Sequence, residues 1–254
     1  MRNIHEVRRK NRWMTLTFFP APPNPTSIDD PEGTSFNDYL SRHAIQPVTH
    51  PALKAYQHAA QGRFLNAHNL NHCLALDGAG DRYGTYSSGD NTAEERLGSL
   101  EDFVNPDSKD FEHTKATLDE LFLQRGVRFD AKSIVFKGIG HHDFYEYLDL
   151  AGATVGDPVQ FHGFLSTTVC RENAERFATS GVLLVLSRID HINTLVPPNE
   201  PVLNAPNGIS REQELLLDRG HWFSVTQITS EWAIHSGSKK LRVLNLEARE
   251  FVPG

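Results

Sequence analysis

Two glutamates one residue apart, Glu212 and Glu214, stand directly before the apolar run Leu215-Leu216-Leu217. If the strand begins at Glu212, side chains alternating with period two place both carboxylates on one face, roughly 7 Å apart. Such a pair can divide acid–base work or steady a cation that develops in a transition state. The same residues also suit a polar strand start with both carboxylates in water. Two further groups precede them. Lys137-Gly138 closes the run Ile134-Val135-Phe136 with a cation, and Ser166-Thr167-Thr168 closes Phe164-Leu165 with three hydroxyls in a row.

Other motifs do not assemble into sites. Gly78-x-Gly80 and Gly138-x-Gly140 each lack the third glycine of a dinucleotide fingerprint, with Tyr83 and Asp143 in its place. His68 and His72 have the spacing of a zinc helix, but Asn69 stands where the general-base glutamate belongs. Cys73 adjoins them without a well-spaced third ligand, and His141-His142-Asp143 reads as a surface loop. No G-x-S-x-G elbow is present, although composition leaves a Ser-His-Asp arrangement open. No metal is expected.

The elements that must position these residues change character along the chain. Residues 20–35 are rich in proline, aspartate and glycine and read as a loop. His50-Pro51 opens a helix whose apolar face runs through Leu53, Tyr56, Ala60, Phe64, Ala67, Leu70 and Leu74. Gly78 to Asp90 reads as a long loop. Thr92 and Glu95 have capping-box spacing and start a second helix, which Asn105-Pro106 ends. A third carries Phe111, Leu118, Leu121 and Phe122, with Gly126 at its C-terminal cap.

Beyond Gly126 short apolar runs follow: Ile134–Phe136, Val159–Leu165, Val182–Leu186, Leu215–Leu217, Trp222–Ile228 and Leu241–Leu246. Short helices are expected at Asp143–Leu150 and Arg171–Thr179. Helices first and strands after is the α+β arrangement. The chain divides into a basic, proline-rich N-terminal segment (1–35), a mainly helical lobe (36–126) and a β-rich core (127–254). The lobe and the core are expected to form one compact domain.

Composition narrows the function classes. The chain has 254 residues and a formal charge of −7, which argues against affinity gained by neutralising nucleic-acid phosphates. No run approaches the length of a membrane helix. Two cysteines, Cys73 and Cys170, are too few for a disulfide scaffold and fit a reducing compartment. The basic tip around Arg8, Arg9, Lys10 and Arg12 meets Pro20, Pro22, Pro23 and Pro25 too soon for an export signal.

The ordered set Lys137, Ser166-Thr167-Thr168 and Glu212-x-Glu214 resembles the arginine–STS–ExE pattern of mono-ADP-ribosyltransferases. The similar group is the binary-toxin-like and phage-encoded enzymes that modify arginine. Phe177, eleven residues after Ser166, matches the family's loop aromatic, and Asn204–Arg211 matches the loop before its glutamates. The resemblance covers roughly residues 110–250.

It implies two small crossed β-sheets with NAD+ bound between them as substrate. It also implies ADP-ribose transfer to arginine side chains of a target protein, with release of nicotinamide. Glu214 then corresponds to the catalytic glutamate on the ribose 2′-OH and Glu212 to the acceptor-side glutamate. Ser166 corresponds to the hydroxyl that fixes Glu214. Lys137, Gly138, Thr167, Thr168 and Phe177 make up the implied NAD+-binding set, with Phe177 against the nicotinamide ring. Thr168 replaces the usual second serine. Ser180 stands where related toxins carry a phosphate-contacting arginine, a role open to Arg176 or Arg171 instead.

Lys137 replaces the family's arginine and offers one ammonium where a planar fork would make two bonds. Weaker NAD+ affinity, another anchor or a catalytically silent NAD-binding relative would each follow, and NAD+ glycohydrolysis is the neighbouring activity. The acidic chain suits a basic target, such as a nucleic-acid-binding protein, and not a membrane. The implied location is the cytoplasm of a bacterial host, or of a cell into which the protein is delivered.

Overall fold

His50 caps a helix in the way its position before Pro51 predicts, its Nδ1 accepting from the Ala52 N–H at 3.1 Å. The computed structural model describes residues 18–19, 34–58, 60–79, 109–140, 150–198, 213–233 and 239–250. Four helices come first: α1 (Thr34–Arg42), α2 (Pro51–Gln57), α3 (Ala67–Ala79) and α4 (Lys109–Arg125). The continuous apolar face read from Leu53 to Leu74 belongs to two helices, not one. Between α2 and α3 the backbones of Gln61 and Phe64 exchange two hydrogen bonds of 3.0 Å around Gly62, which sits at φ +61°. Helix α2 has already ended at Gln57, with His58 out of helical geometry at φ −120°, and Gly62 shapes the turn that follows in a left-handed conformation cheap only for glycine. The helix expected after Thr92, the loop at 80–90 and His141-His142-Asp143 lie outside the described residues, as does all but Leu150 of the helix expected at Asp143–Leu150.

Helix α4 buries Phe111, Thr114, Leu118 and Phe122 along one side. Each fully buried large apolar side chain contributes about 1.5–3 kcal/mol of transfer free energy. With Leu53, Tyr56, Leu70 and Leu74 these residues form a helical core that also takes in Phe164, Leu195 and Leu216 from the sheet.

The strands are β1 (Phe18–Phe19), β2 (Arg128–Phe129), β3 (Val135–Ile139), β4 (Pro158–Phe161) and β5 (Leu165–Thr168). After helix α5 (Arg171–Phe177) come β6 (Val182–Ser187), β7 (Thr194–Leu195), β8 (Glu214–Leu217), β9 (His221–Trp232) and β10 (Lys240–Arg249). β1 and β2 form a separate parallel pair. The other eight strands follow the order β4–β9–β10–β6–β3–β5–β8–β7. Within that order β3 and β5 share a single residue pair, Phe136 with Thr168. The expected two sheets are therefore a five-stranded and a three-stranded part that meet at one bridge.

The run Val159–Leu165 is split into β4 and β5. Phe164 gives its N–H to Asn71 Oδ1 (3.1 Å) and its carbonyl accepts from Asn71 Nδ2 (3.0 Å), so a side chain of α3 takes the place of a strand partner. The main core holds Leu165, Leu215 and Leu217 with Leu184, Leu186, Val225, Leu244 and Leu246. A third cluster places Ala174 and Ala178 on Phe136, Leu183, Leu241 and Val243, which seats α5 against the five-stranded part. Among the described residues no helix is long and apolar enough to cross a membrane.

Candidate active site

Strand β8 is buried on both faces, and its alternation decides where Glu214 points. Leu215 and Leu217 enter the main core, whereas Leu216 enters the helical core. Glu214 shares the Leu216 face, because side chains two apart on a strand lie on one side. Opposite it, β5 pairs Thr168 with Glu214 and Ser166 with Leu216. Phe136, Thr168 and Glu214 thus form one row across β3, β5 and β8.

Glu214 is only 6% exposed, and each carboxylate oxygen has its own donor. Ser166 Oγ donates to Oε1 at 2.5 Å, and Gln57 Nε2 donates to Oε2 at 2.7 Å. Burial lifts the Glu214 carboxyl above the ordinary carboxylate range. The Ser166 and Gln57 hydrogen bonds and the charges of Lys137 and His58 oppose that lift without cancelling it. Among the described residues these two donors use two of the roughly four hydrogen bonds that a carboxylate's lone pairs can accept.

Gln57 is the residue that sequence reasoning missed. It closes α2 and reaches a partner 157 positions away. Its neighbour Tyr56 fixes that end of the helix, its hydroxyl donating to the Phe164 carbonyl at 2.9 Å and accepting from Asn71 Nδ2 at 3.0 Å. Phe164 lies two residues before Ser166, and its ring stacks on Phe122 at 5.3 Å. The helical lobe and the strand bearing Ser166 are therefore locked together beside Glu214.

Lys137 lies on β3, paired with Leu184 and one residue beyond the Phe136–Thr168 bridge. Its charge is felt at Glu214. Gly138 serves packing: a Cβ there would come within 2.0 Å of the Ala174 carbonyl oxygen and 2.8 Å of the Phe177 carbonyl carbon. Its bareness lets α5 lie on β3 and brings Phe177, 40% exposed, alongside the strand that carries Lys137. Thr167 is buried and donates to the Leu215 carbonyl at 2.6 Å, and Thr168 Oγ1 accepts from the Cys170 N–H at 3.1 Å. Both hydroxyls thus brace the backbone.

The arginines considered for phosphate contact are already paired with acids. Arg171 bonds Glu175 at 2.9 Å and Glu231 at 2.7 Å, and Arg176 bonds Glu172 at 2.5 Å. Ser180 Oγ donates to the Ile139 carbonyl at 2.7 Å.

Strand β8 begins at Glu214, not at Glu212, and the residue before it, Gln213, has φ +50°. A left-handed, buried residue breaks strand alternation, so the argument that put both glutamates on one face stops at Glu214. Glu212 itself lies outside the described residues, as does the loop 204–211. Strained non-glycine backbone is concentrated at functional sites, and here it adjoins the buried carboxylate. Cys73 is fully buried and its thiol is pushed up to about 11, which keeps it protonated. Among the described residues no cluster of three histidine, cysteine or carboxylate side chains could hold a metal ion.

The sequence matches no protein-family model and no curated protein. The structure is similar to the C3 exoenzyme of Clostridium limosum, at 14% identity and a TM-score of 0.52 over 88% of this chain and 95% of that one. It also aligns with the ADP-ribosylating toxin BECa of Clostridium perfringens, solved with NADH, at 16% identity and a TM-score of 0.42. That alignment covers 78% of this chain and 45% of the toxin. A third likeness is C3larvin toxin, an ADP-ribosyltransferase from Paenibacillus larvae, at 13% identity and a TM-score of 0.39, over 66% of this chain and 85% of that one. On the likeness to the Clostridium limosum exoenzyme, the fold is an α+β, ADP-ribosyltransferase-like one.

Proposed function

We propose that the protein transfers ADP-ribose from NAD+ to arginine side chains of a target protein and releases nicotinamide. The observation that carries this reading is the Glu214 carboxylate, buried where β3, β5 and β8 meet, held by Ser166 and favoured as an anion by the charge of Lys137. An α+β ADP-ribosyltransferase-like fold around that carboxylate supports it.

The chemistry follows from the charges. When the bond between nicotinamide and the ribose C1′ breaks, its electron pair leaves with neutral nicotinamide and positive charge develops on the ribose. A fixed anion beside the ribose hydroxyls stabilises that charge more in the transition state than in the ground state. Arginine is cationic throughout the accessible pH range and attacks only if a base takes its proton. In this reading Glu212 is that base, Lys137 meets the pyrophosphate, and Phe177 offers the nicotinamide ring an apolar face.

The test is incubation with labelled NAD+ and an arginine acceptor such as agmatine. Wild-type protein transfers label and Glu214→Ala does not. Free ADP-ribose in excess of the transferred product would make the protein a glycohydrolase instead. No heat on titrating NAD+ in a calorimeter would remove both activities. Mass spectrometry of NAD+-treated lysate identifies the target, for which the reading expects a basic protein such as a nucleic-acid-binding one.

A further inference from the structure

We infer that Gln57 is a positioning residue for Glu214: the helical lobe supplies the second donor that holds the carboxylate in its reactive orientation. The inference rests on the transferase reading for its kinetic consequence, but the geometry stands by itself. Ser166 occupies one carboxylate oxygen and Gln57 the other, at 2.5 and 2.7 Å. With a single donor a glutamate side chain turns about its terminal torsion, which has broad wells. With one donor on each oxygen, from two separate elements, the carboxylate plane is fixed.

The two donors are also fixed relative to each other. Tyr56, next to Gln57, donates to the carbonyl of Phe164, two residues before Ser166, and Asn71 bonds the Tyr56 hydroxyl, the Phe164 carbonyl and the Phe164 N–H. This network sets the distance between the groups that grip Glu214. A carboxylate contains only acceptors, which decides that the amide nitrogen of Gln57 faces it.

Among the described residues the charged groups that act on Glu214 are Lys137 from β3 and His58 from the residue after α2. Both favour the ionised form, as the Gln57 and Ser166 hydrogen bonds do, while burial opposes it. Removing the Gln57 donor shifts that balance towards the protonated acid, which cannot stabilise a developing cation.

The experiment compares wild type with Gln57→Leu and Gln57→Asn. The first removes the donor, and the second keeps an amide one methylene too short to reach. Side-chain 13C NMR of glutamate-labelled protein, assigned with Glu214→Gln, follows the Glu214 titration directly. Its midpoint rises in both variants; an unchanged midpoint overturns the inference. In NAD+ cleavage, kcat falls roughly ten- to a hundredfold, as expected for one hydrogen bond to a charged group, and the acid limb of the pH profile moves up. KM for NAD+ stays within about threefold of wild type. A loss of kcat with an unmoved acid limb would mean a merely structural role and refutes the inference. If the wild type cleaves no NAD+, the transferase reading fails, and the NMR midpoint still decides whether Gln57 holds Glu214.

Discussion

Glu214→Gln separates catalysis from folding, because it removes the charge of the carboxylate and keeps its shape. Ser166 Oγ still has a carbonyl oxygen to donate to, and the Gln57 amide can turn over so that its oxygen accepts from the new NH2 group. The electrostatic loss is larger. An anion about 4 Å from a developing cation, at an effective dielectric near 20, contributes about 4 kcal/mol, roughly a thousandfold in rate. Transfer of ADP-ribose to agmatine should fall by about that factor.

Stability should move the other way. Burial holds the folded Glu214 carboxyl above its ordinary value of 4.5, so over the window above 4.5 the folded protein keeps a proton that the unfolded chain has released. Stability from this group therefore falls as pH rises through the lifted value, and Glu214→Gln is free of that loss. Thermal unfolding from pH 4.5 to 8 should show the variant gaining on wild type with increasing pH. Activity within tenfold of wild type, or a constant difference in Tm across that range, would refute the reasoning.

Two more expectations follow from the same geometry. Lys137→Arg puts a planar fork where lysine offers a single ammonium; in the proposed NAD+ site one further charge-assisted hydrogen bond of about 1.5–3 kcal/mol should lower KM for NAD+ roughly ten- to a hundredfold, measured by steady-state cleavage. At the opposite end of β8, burial and the neighbouring Asp119 lift Asp218 to about 6, while burial, His191 and Arg128 push His221 down to about 4. Stability due to Asp218 falls by up to about 3 kcal/mol as pH rises from 4 to 6, and that due to His221 rises by a similar amount over the same range. Chemical denaturation should thus find wild type nearly flat there, Asp218→Asn more stable with rising pH and His221→Gln less so.

The sequence made the strands legible where their runs are apolar on both faces or cleanly bounded. Val182–Leu186, Leu215–Leu217 and Leu241–Leu246 each fall within an observed strand. The break between α2 and α3 escaped because Phe64 and Ala67 continue the helical spacing across the Gln61–Phe64 backbone bridge, which carries no periodic signal. The split between β4 and β5 escaped for a related reason: the competing partner of Phe164 is Asn71, a side chain 93 residues away. Gly138 reads as part of a binding motif in sequence, yet its first duty is to let α5 approach β3. The meeting of Ser166 with Glu214 follows from strand order and register. Gln57 has no such signature, because a polar residue at a helix end is ordinary until its partner is known.

These particulars explain why the carboxylate sits where it does. In a sheet paired along its whole length, neighbouring strands lie about 4.8 Å apart and leave no room between them for a ligand. Here pairing between β3 and β5 stops after Phe136 and Thr168, so the residues flanking that bridge are the ones a ligand entering the seam would meet. Lys137 is on one side of it, and Ser166 with Glu214 on the other. Such a seam needs support from outside the sheet. The Tyr56–Asn71–Phe164 network supplies it by tying the helical lobe to β5. The helices before residue 126 are then part of the site's construction, because without them Glu214 would lose both the Gln57 donor and the frame that aims it.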